Sequence, residues 1–258
     1  EGASGGKVRL YEDGVFPTAD GKARFVAIEH LPTADVLSAA APISLLSGRM
    51  RDHWHGMSRT GTVPRLFNLE DEPLLAMHPC DMRHRSLDSG DLVRVSNARG
   101  EMKVRVAERP GLQKGRAWMP MHWGSQFMNS PGANAVASDA IDPYSKQPEL
   151  KHAAVQITKL DLPYPLAIIR RCPDQESALE LMQRARAALP RFAYATLNLY
   201  GRSSPLVVFR ASSAEAVAAD LLQEMDVLFG IDGAEGAIVF ADAKRHVAKK
   251  AISIEGRL

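Results

Sequence analysis

Asp91-Leu92-Val93-Arg94-Val95-Ser96-Asn97-Ala98-Arg99-Gly100-Glu101-Met102-Lys103-Val104-Arg105-Val106 is the stretch that decides the fold class. Apolar residues recur at alternate positions on either side of Asn97 to Gly100, and a strand sends alternate side chains to opposite faces. Asn97, Ala98, Arg99 and Gly100 supply the turn. The reading is a β-hairpin with one buried face. Because the second run alternates apolar with basic residues, its other face is expected to be wet. Upstream, Ile43-Ser44-Leu45-Leu46 reads as a strand that stops at Ser47-Gly48 and delivers a loop. Downstream, Ala117-Trp118-Met119-Pro120 and Ala153-Ala154-Val155-Gln156-Ile157 add short strands separated by turn-rich sequence. Residues 42–160 are therefore expected to form a mainly β domain, a barrel.

Composition shifts at Asp161-Leu162-Pro163-Tyr164-Pro165, where two prolines favour an extended connector. Beyond it come a strand at Leu166 to Ile169 and a helix from Ser177 to Leu189, with Asp174 near its start and Pro190 at its end. Leu181, Ala185 and Leu189 share one face of that helix. Two strands follow, Phe192 to Leu199 and Leu206 to Arg210. Ser212-Ser213-Ala214-Glu215 has capping-box spacing and predicts a helix to about Phe229, and Ala237 to Phe240 reads as a buried strand. The order β-α-β-β-α-β makes residues 161–258 a smaller α+β domain of ferredoxin-like pattern. Residues 1–41, with turn signals at Asp13-Gly14 and Asp20-Gly21, read as a β-rich lead-in from a preceding domain.

The 258 residues are 45% hydrophobic and 24% charged, enough apolar material for two cores. No run approaches the roughly 18 to 20 apolar residues of a membrane span, so no membrane partner is expected. The start, Glu1 to Gly6, has neither an initiator Met nor an apolar signal region, and the chain is expected to be the interior of a longer one. Cys80 and Cys172 lie far apart without a CxxC, which argues against a disulfide scaffold, a zinc site or a self-contained iron–sulfur site. No residue is expected to bind metal. A net charge of +2 is too small for a general nucleic-acid binder, so anion binding must come from local clustering.

Such a cluster follows the first strand. Ser47-Gly48-Arg49-Met50-Arg51-Asp52-His53-Trp54-His55-Gly56-Met57-Ser58-Arg59-Thr60-Gly61 combines arginines, glycines and hydroxyls, the ingredients of a phosphate site: close backbone approach, forked donors and added hydrogen bonds. Trp54 offers a plane for stacking. The competing reading is a solvated basic loop with Trp54 plugging the core. His53 and His55, two apart, face one way if the segment is extended; a metal would need a third ligand that is not evident nearby. By residue type alone, Asn134 is a turn residue and Lys151 a surface charge.

In order along the chain stand four blocks: Leu46-Ser47-Gly48-Arg49 through Trp54-His55 to Arg59-Thr60-Gly61; His78-Pro79-Cys80-Asp81 with Gly90 to Ser96 and Arg99-Gly100; Met121-His122-Trp123 with Gln126-Phe127; and Asn134 with Asp142-Pro143-Tyr144-Ser145-Lys146-Gln147-Pro148-Glu149-Leu150-Lys151. As an ordered set they resemble the C-terminal region of assimilatory nitrate reductases, within the bis-molybdopterin guanine dinucleotide oxidoreductases. Residues 8 to 158 carry the likeness. One departure is Ser86-Leu87-Asp88-Ser89, where the family has a Leu-Gly step.

The resemblance implies a six-stranded double-psi barrel closing over the cofactor. Ser47, Gly48, Arg49, His53, Trp54, His55, Gly56, Asn134 and Lys151 would contact the dinucleotide, and Gln126 or Phe127 would border the substrate channel. His122-Trp123 would take a structural place at the pocket edge. No catalytic residue is expected within this chain, since the family's molybdenum-ligating cysteine and the cysteines of its [4Fe–4S] cluster lie far upstream. Further iron–sulfur clusters belong to the missing parts. The implied partners are the remainder of the catalytic subunit and an electron donor (ferredoxin, flavodoxin or an NADH-linked flavoprotein), in the cytoplasm. The ending Ile252 to Leu258 reads as native sequence resembling the segment before a [2Fe–2S] module. A formate dehydrogenase subunit is the alternative enzyme, although Trp54-His55 with Arg59-Thr60-Gly61 favours nitrate. A basic nucleic-acid-binding module is the alternative outside enzymes, and the missing RNP-type pattern argues against it.

Overall fold

A computed structural model describes residues 9–67, 70, 72–202, 204–233, 237–242 and 247–252. The chain divides into two units, Glu1–Thr33 and Ala34–Leu258. The first is held by turns: Gly14 N donates to Tyr11 O and Phe16 N to Gly21 O, and the Tyr11 and Phe16 rings stack at 4.9 Å. Among its described residues there is no strand, so the β-rich expectation for the lead-in is corrected to turns and extended chain. The backbone bonds of this segment close locally instead of in a ladder.

The second unit opens with six strands: β1 Ile43–Gly48, β2 Leu74–Met77, β3 Leu92–Ser96, β4 Glu101–Glu108, β5 Arg116–Pro120 and β6 His152–Lys159. Short helices α1 Pro64–Phe67 and α2 Pro79–Arg83 sit in the connections on either side of β2. The strands close into a barrel in the order β1-β5-β2-β4-β3-β6, and β1·β5 and β2·β4 are parallel pairs while the others are antiparallel. Adding three to each strand number, so that β1 becomes β4, β2 becomes β5 and β3 becomes β6, reproduces every pairing with its direction. Two interleaved three-strand halves thus make the double-psi barrel. Its interior is filled by alternate residues of the strands, including Leu45, Leu75, Val93, Val104, Met119 and Val155.

The deciding hairpin forms as read, with Val93 opposite Val104 and Val95 opposite Met102. Asn97 Oδ1 accepts from Arg99 N and Gly100 N, which fixes its turn. The expected wet face is corrected. Lys103 Nζ donates to Ala193 O, and Arg105 Nε donates to the buried Glu72 carboxylate, whose other oxygen accepts from Thr196 Oγ1. The basic residues of β4 therefore face the following α+β layer, where their charges meet fixed acceptors instead of water.

That layer is a three-stranded antiparallel sheet of β7 Tyr164–Arg171, β8 Tyr194–Tyr200 and β9 Leu206–Ser213, in the order β7-β9-β8, with helices α3 Gln175–Ala185 and α4 Ala219–Leu228. Asp174 caps α3 by accepting from Ser177 N, and Leu181, Ala185 and Leu189 are buried as expected. Three strands hold the ferredoxin-like order. The fourth, β10 Ile238–Asp242, instead pairs with β11 Val247–Ala251 as a separate hairpin. The expectation of a buried strand there is corrected, since Phe240 is 55% exposed. The helix predicted from Ser212 is corrected too: Ser212 and Ser213 continue β9 by pairing with Pro165 and Tyr164, so α4 starts at Ala219. Residues 253–258 of the sequence ending lie outside the described residues.

Candidate functional site

Three chain ends meet at one end of the barrel. Because β1 and β5 are parallel, with Gly48 beside Pro120, both deliver their loops to the same side. Because β6 runs antiparallel to β1, with Leu46 opposite His152, its start lies there as well. Arg49, Met121-His122 and Lys151, far apart in sequence, are thereby brought to one end of the barrel. The Trp118 indole of β5 lies over Gly48, where an added Cβ would stand 2.5 Å from Trp118 Nε1.

A groove of about 230 Å³ opens at this end, lined by Gly56, Met121 to Gln126, Pro131, Ala133 and Asn134. Asn134 lies in a short 3-10 turn, Ala133–Val136, entered through Gly132 at φ 76. Lys151 Nζ reaches Met121 Sδ at 3.5 Å, which sets its ammonium beside the groove wall. Ser47 Oγ donates to Leu150 O, tying the end of β1 to the residue before Lys151. Arg49 is exposed and has no hydrogen bond or ion pair among the described residues.

The loop after β1 splits its two histidines. His53 is 2% exposed, with Nδ1 3.0 Å from Thr60 Oγ1, and His55 is exposed and stacked on Trp54 at 4.7 Å. The expected shared direction is corrected, because His55, Gly56 and Met57 take φ values of 44, 59 and 61 and the segment is not extended. Trp54 is 64% exposed, so it does not plug the core; the buried Met57 holds that place. Arg51 is neutralised by its neighbour Asp52 through two hydrogen bonds.

His122, which the sequence suggested only as a pocket edge, is the hub. It is 4% exposed and 5.8 Å from His53 ring to ring, and its Nε2 accepts from Met50 N at 3.1 Å. Burial first, then the positive sides of His53, Arg49 and Lys151, hold its pKa below the ordinary histidine value. Burial does the same to His53, against the opposing pull of Asp52. Both histidines are thus held toward the neutral form; His122 lines the groove with His53 packed beside it, and the charges of Arg49 and Lys151 act on His122 from nearby. The signal for His122 was available in the strand pattern, since Met121-His122 follows β5 as Arg49 follows β1.

Gln126 and Phe127 go to different surroundings. Gln126 lines the groove, while the Phe127 ring packs edge-on against Phe67 at 5.1 Å inside the core. Cys80 is half-buried and accepts from Arg83, and Cys172 is buried. Among the described residues no three His, Cys, Asp or Glu side chains are placed to hold a metal ion, and no helix is long and apolar enough to cross a membrane.

Chemically, the arrangement suits a polyanion with a polar ring system. Arg49 and Lys151 supply charge, Asn134 both donor and acceptor, and the buried His53 Nε2 has no partner among the described residues. A dinucleotide with its diphosphate fits this donor set.

Comparison with known proteins gives the same direction. Residues 43–154 match the family described as "Molydopterin dinucleotide binding domain". A nitrate reductase of Klebsiella oxytoca is 41% identical over 138 residues, covering 54% of this chain and 16% of that protein. A nitrate reductase of Shewanella frigidimarina (strain NCIMB 400) is 31% identical over 176 residues, covering 60% of this chain and 19% of that protein. The chain thus spans less than a fifth of either relative. Among solved structures, acetylene hydratase from Pelobacter acetylenicus aligns with a TM-score of 0.39 at 19% identity, over 46% of this chain and 18% of that one. The family likeness carried by the four ordered blocks is borne out by the domain match and the two relatives.

Proposed function

We propose, from the premise that residues 43–154 are a molybdopterin dinucleotide binding domain, that this chain holds a molybdopterin guanine dinucleotide within a larger nitrate reductase. The observation that carries the reading is the convergence of Arg49, His122 and Lys151 at one barrel end, beside a groove that includes Gly56 and Asn134. Arg49 and Lys151 take the diphosphate, Ser47 and Gly48 fix the approach of the loop, and Trp54, His55 and Asn134 contact the ring systems. The buried face of His53 meets a polar atom of the ligand or of its hydration. When bound, the molybdenum cofactor supplies oxygen-atom transfer, turning nitrate to nitrite with two electrons and two protons. This chain's share is to hold and orient the group and to keep bulk water from its underside.

The electrons come through iron–sulfur clusters elsewhere in the polypeptide from a soluble donor such as ferredoxin, flavodoxin or an NADH-linked flavoprotein. Assimilation in the cytoplasm is the setting this implies. Gln126 on the groove wall borders the substrate's path. Residues 42–160 act as the holding domain, and residues 161–258 brace it through β4 and the 127–129 segment, which hydrogen-bonds along β8. The test is turnover by the purified parent polypeptide with a reduced viologen dye. Nitrate is expected to be consumed with one nitrite formed per two electrons; an enzyme that is inert toward nitrate but oxidises formate overturns the reading.

A further inference from the structure

Arg49 is bracketed by two anchors on consecutive residues of the β5 end. Before it, Gly48 O accepts from Met121 N at 2.9 Å; after it, Met50 N donates to His122 Nε2 at 3.1 Å. The first is a backbone bond that any residue at 121 other than proline makes. The second depends on one side chain. An imidazole accepts only through an unprotonated ring nitrogen, so the bond requires neutral His122 with its proton on Nδ1. Burial, His53, Arg49 and Lys151 keep it in that form. Among the described residues the charged groups acting on His122 are His53, Arg49 and Lys151, and Asp52, which acts on the neighbouring His53, is already engaged by Arg51.

A flexible, exposed arginine loses several rotors' worth of freedom when it closes on a phosphate, and a fixed backbone reduces what must be ordered at that moment. We infer that His122 is a positioning residue, which fixes Arg49 for a diphosphate-bearing ligand by holding the Met50 N–H. The inference rests on the reading of the groove as a dinucleotide site. His122 acts on the diphosphate only through the Met50 N–H and hence through Arg49, so its contribution disappears when Arg49 is gone.

The experiment measures calorimetric binding of inorganic pyrophosphate to the full chain, together with guanine dinucleotide content of the purified parent polypeptide, in wild type, Arg49→Ala, His122→Phe, His122→Gln and the Arg49→Ala/His122→Phe double variant. His122→Phe keeps the buried volume without the acceptor; His122→Gln restores an acceptor oxygen. Each single loss of Arg49 or of the acceptor is expected to weaken binding about tenfold, and the double variant also about tenfold instead of the hundredfold that independent sites give. His122→Gln is expected within about threefold of wild type, a rescue that a merely structural role does not produce. His122→Met replaces the Phe variant if circular dichroism shows that it has not folded. Wild-type binding by His122→Phe, or a hundredfold loss in the double variant, overturns the inference while Arg49→Ala still tests the dinucleotide reading. Absence of pyrophosphate binding in wild type, with unchanged cofactor content in Arg49→Ala, overturns that reading and the inference together.

Discussion

Replacing Arg49 or Lys151 by alanine is expected to lower the molybdopterin guanine dinucleotide content of the purified parent polypeptide by about tenfold or more, while leaving the fold intact. A hydrogen bond to a charged group contributes about 1.5–3 kcal/mol, and 1.4 kcal/mol is a factor of ten in affinity. Neither side chain has a structural task that would confuse the result. Arg49 has no polar partner among the described residues, and Lys151 makes only a weak contact with Met121 Sδ. Surface substitutions of this kind shift stability by about half a kcal/mol or less. Molybdenum and acid-released guanine nucleotide per polypeptide are the quantities to measure. Full loading in both variants contradicts the site assignment.

Gly132→Ala is expected to destabilise the protein by about 3 kcal/mol or more, and to disturb the groove with it. Gly132 has φ +76 and ψ −169, a region essentially reserved for glycine that costs another residue about 1–3 kcal/mol, and its new Cβ would stand 2.1 Å from Trp123 O. That neighbour is backbone, so relief requires moving the 121–136 loop itself. The same loop carries His122, Gln126 and Asn134, and a shift there opens the site as well as the core around Trp123. Gly111→Ala is the control, because nothing lies within 4 Å of its Cβ position and its backbone is not left-handed. Chemical denaturation should show a large drop in midpoint for the first and none for the second. Equal midpoints would show that the loop adapts at no cost.

Much of the fold was legible because strand alternation is a local signal. The Val93/Val104 and Val95/Met102 pairs could be placed from period two alone, and so could the turn at Asn97. The parallel contacts were not legible in the same way, since β1 meets β5 across about seventy residues and no local pattern records which strand lies beside which. The site suffered from the same gap. Residue types offered the Ser47 to Gly61 loop as an anion site or a solvated basic loop, and the family likeness supplied Asn134 and Lys151, but only the β1·β5 and β1·β6 registers bring Arg49, Met121 and Lys151 to one barrel end.

Where the structure departs from the local sequence signal, tertiary context overrides local preference. Lys103 and Arg105 looked solvent-facing, yet Ala193 O and Glu72 give them buried acceptors. Ser212 and Ser213 looked like a helix cap, yet the ladder to Tyr164 and Pro165 satisfies their backbone first. Ile238 to Phe240 looked like a core strand because apolar runs do not say what covers them. His122 carries little local signal because its bond is to a backbone N–H seventy-two positions away.

The barrel's internal two-fold relation supplies the most direct measurement. It maps the Arg49 and His122 end onto the opposite end, where Arg109 follows β4 and His78 follows β2. An experimental structure of the cofactor-loaded parent polypeptide distinguishes the two. The account predicts diphosphate oxygens within hydrogen-bonding distance of Arg49 and Lys151; a dinucleotide seated instead against Arg109 and α2 contradicts it.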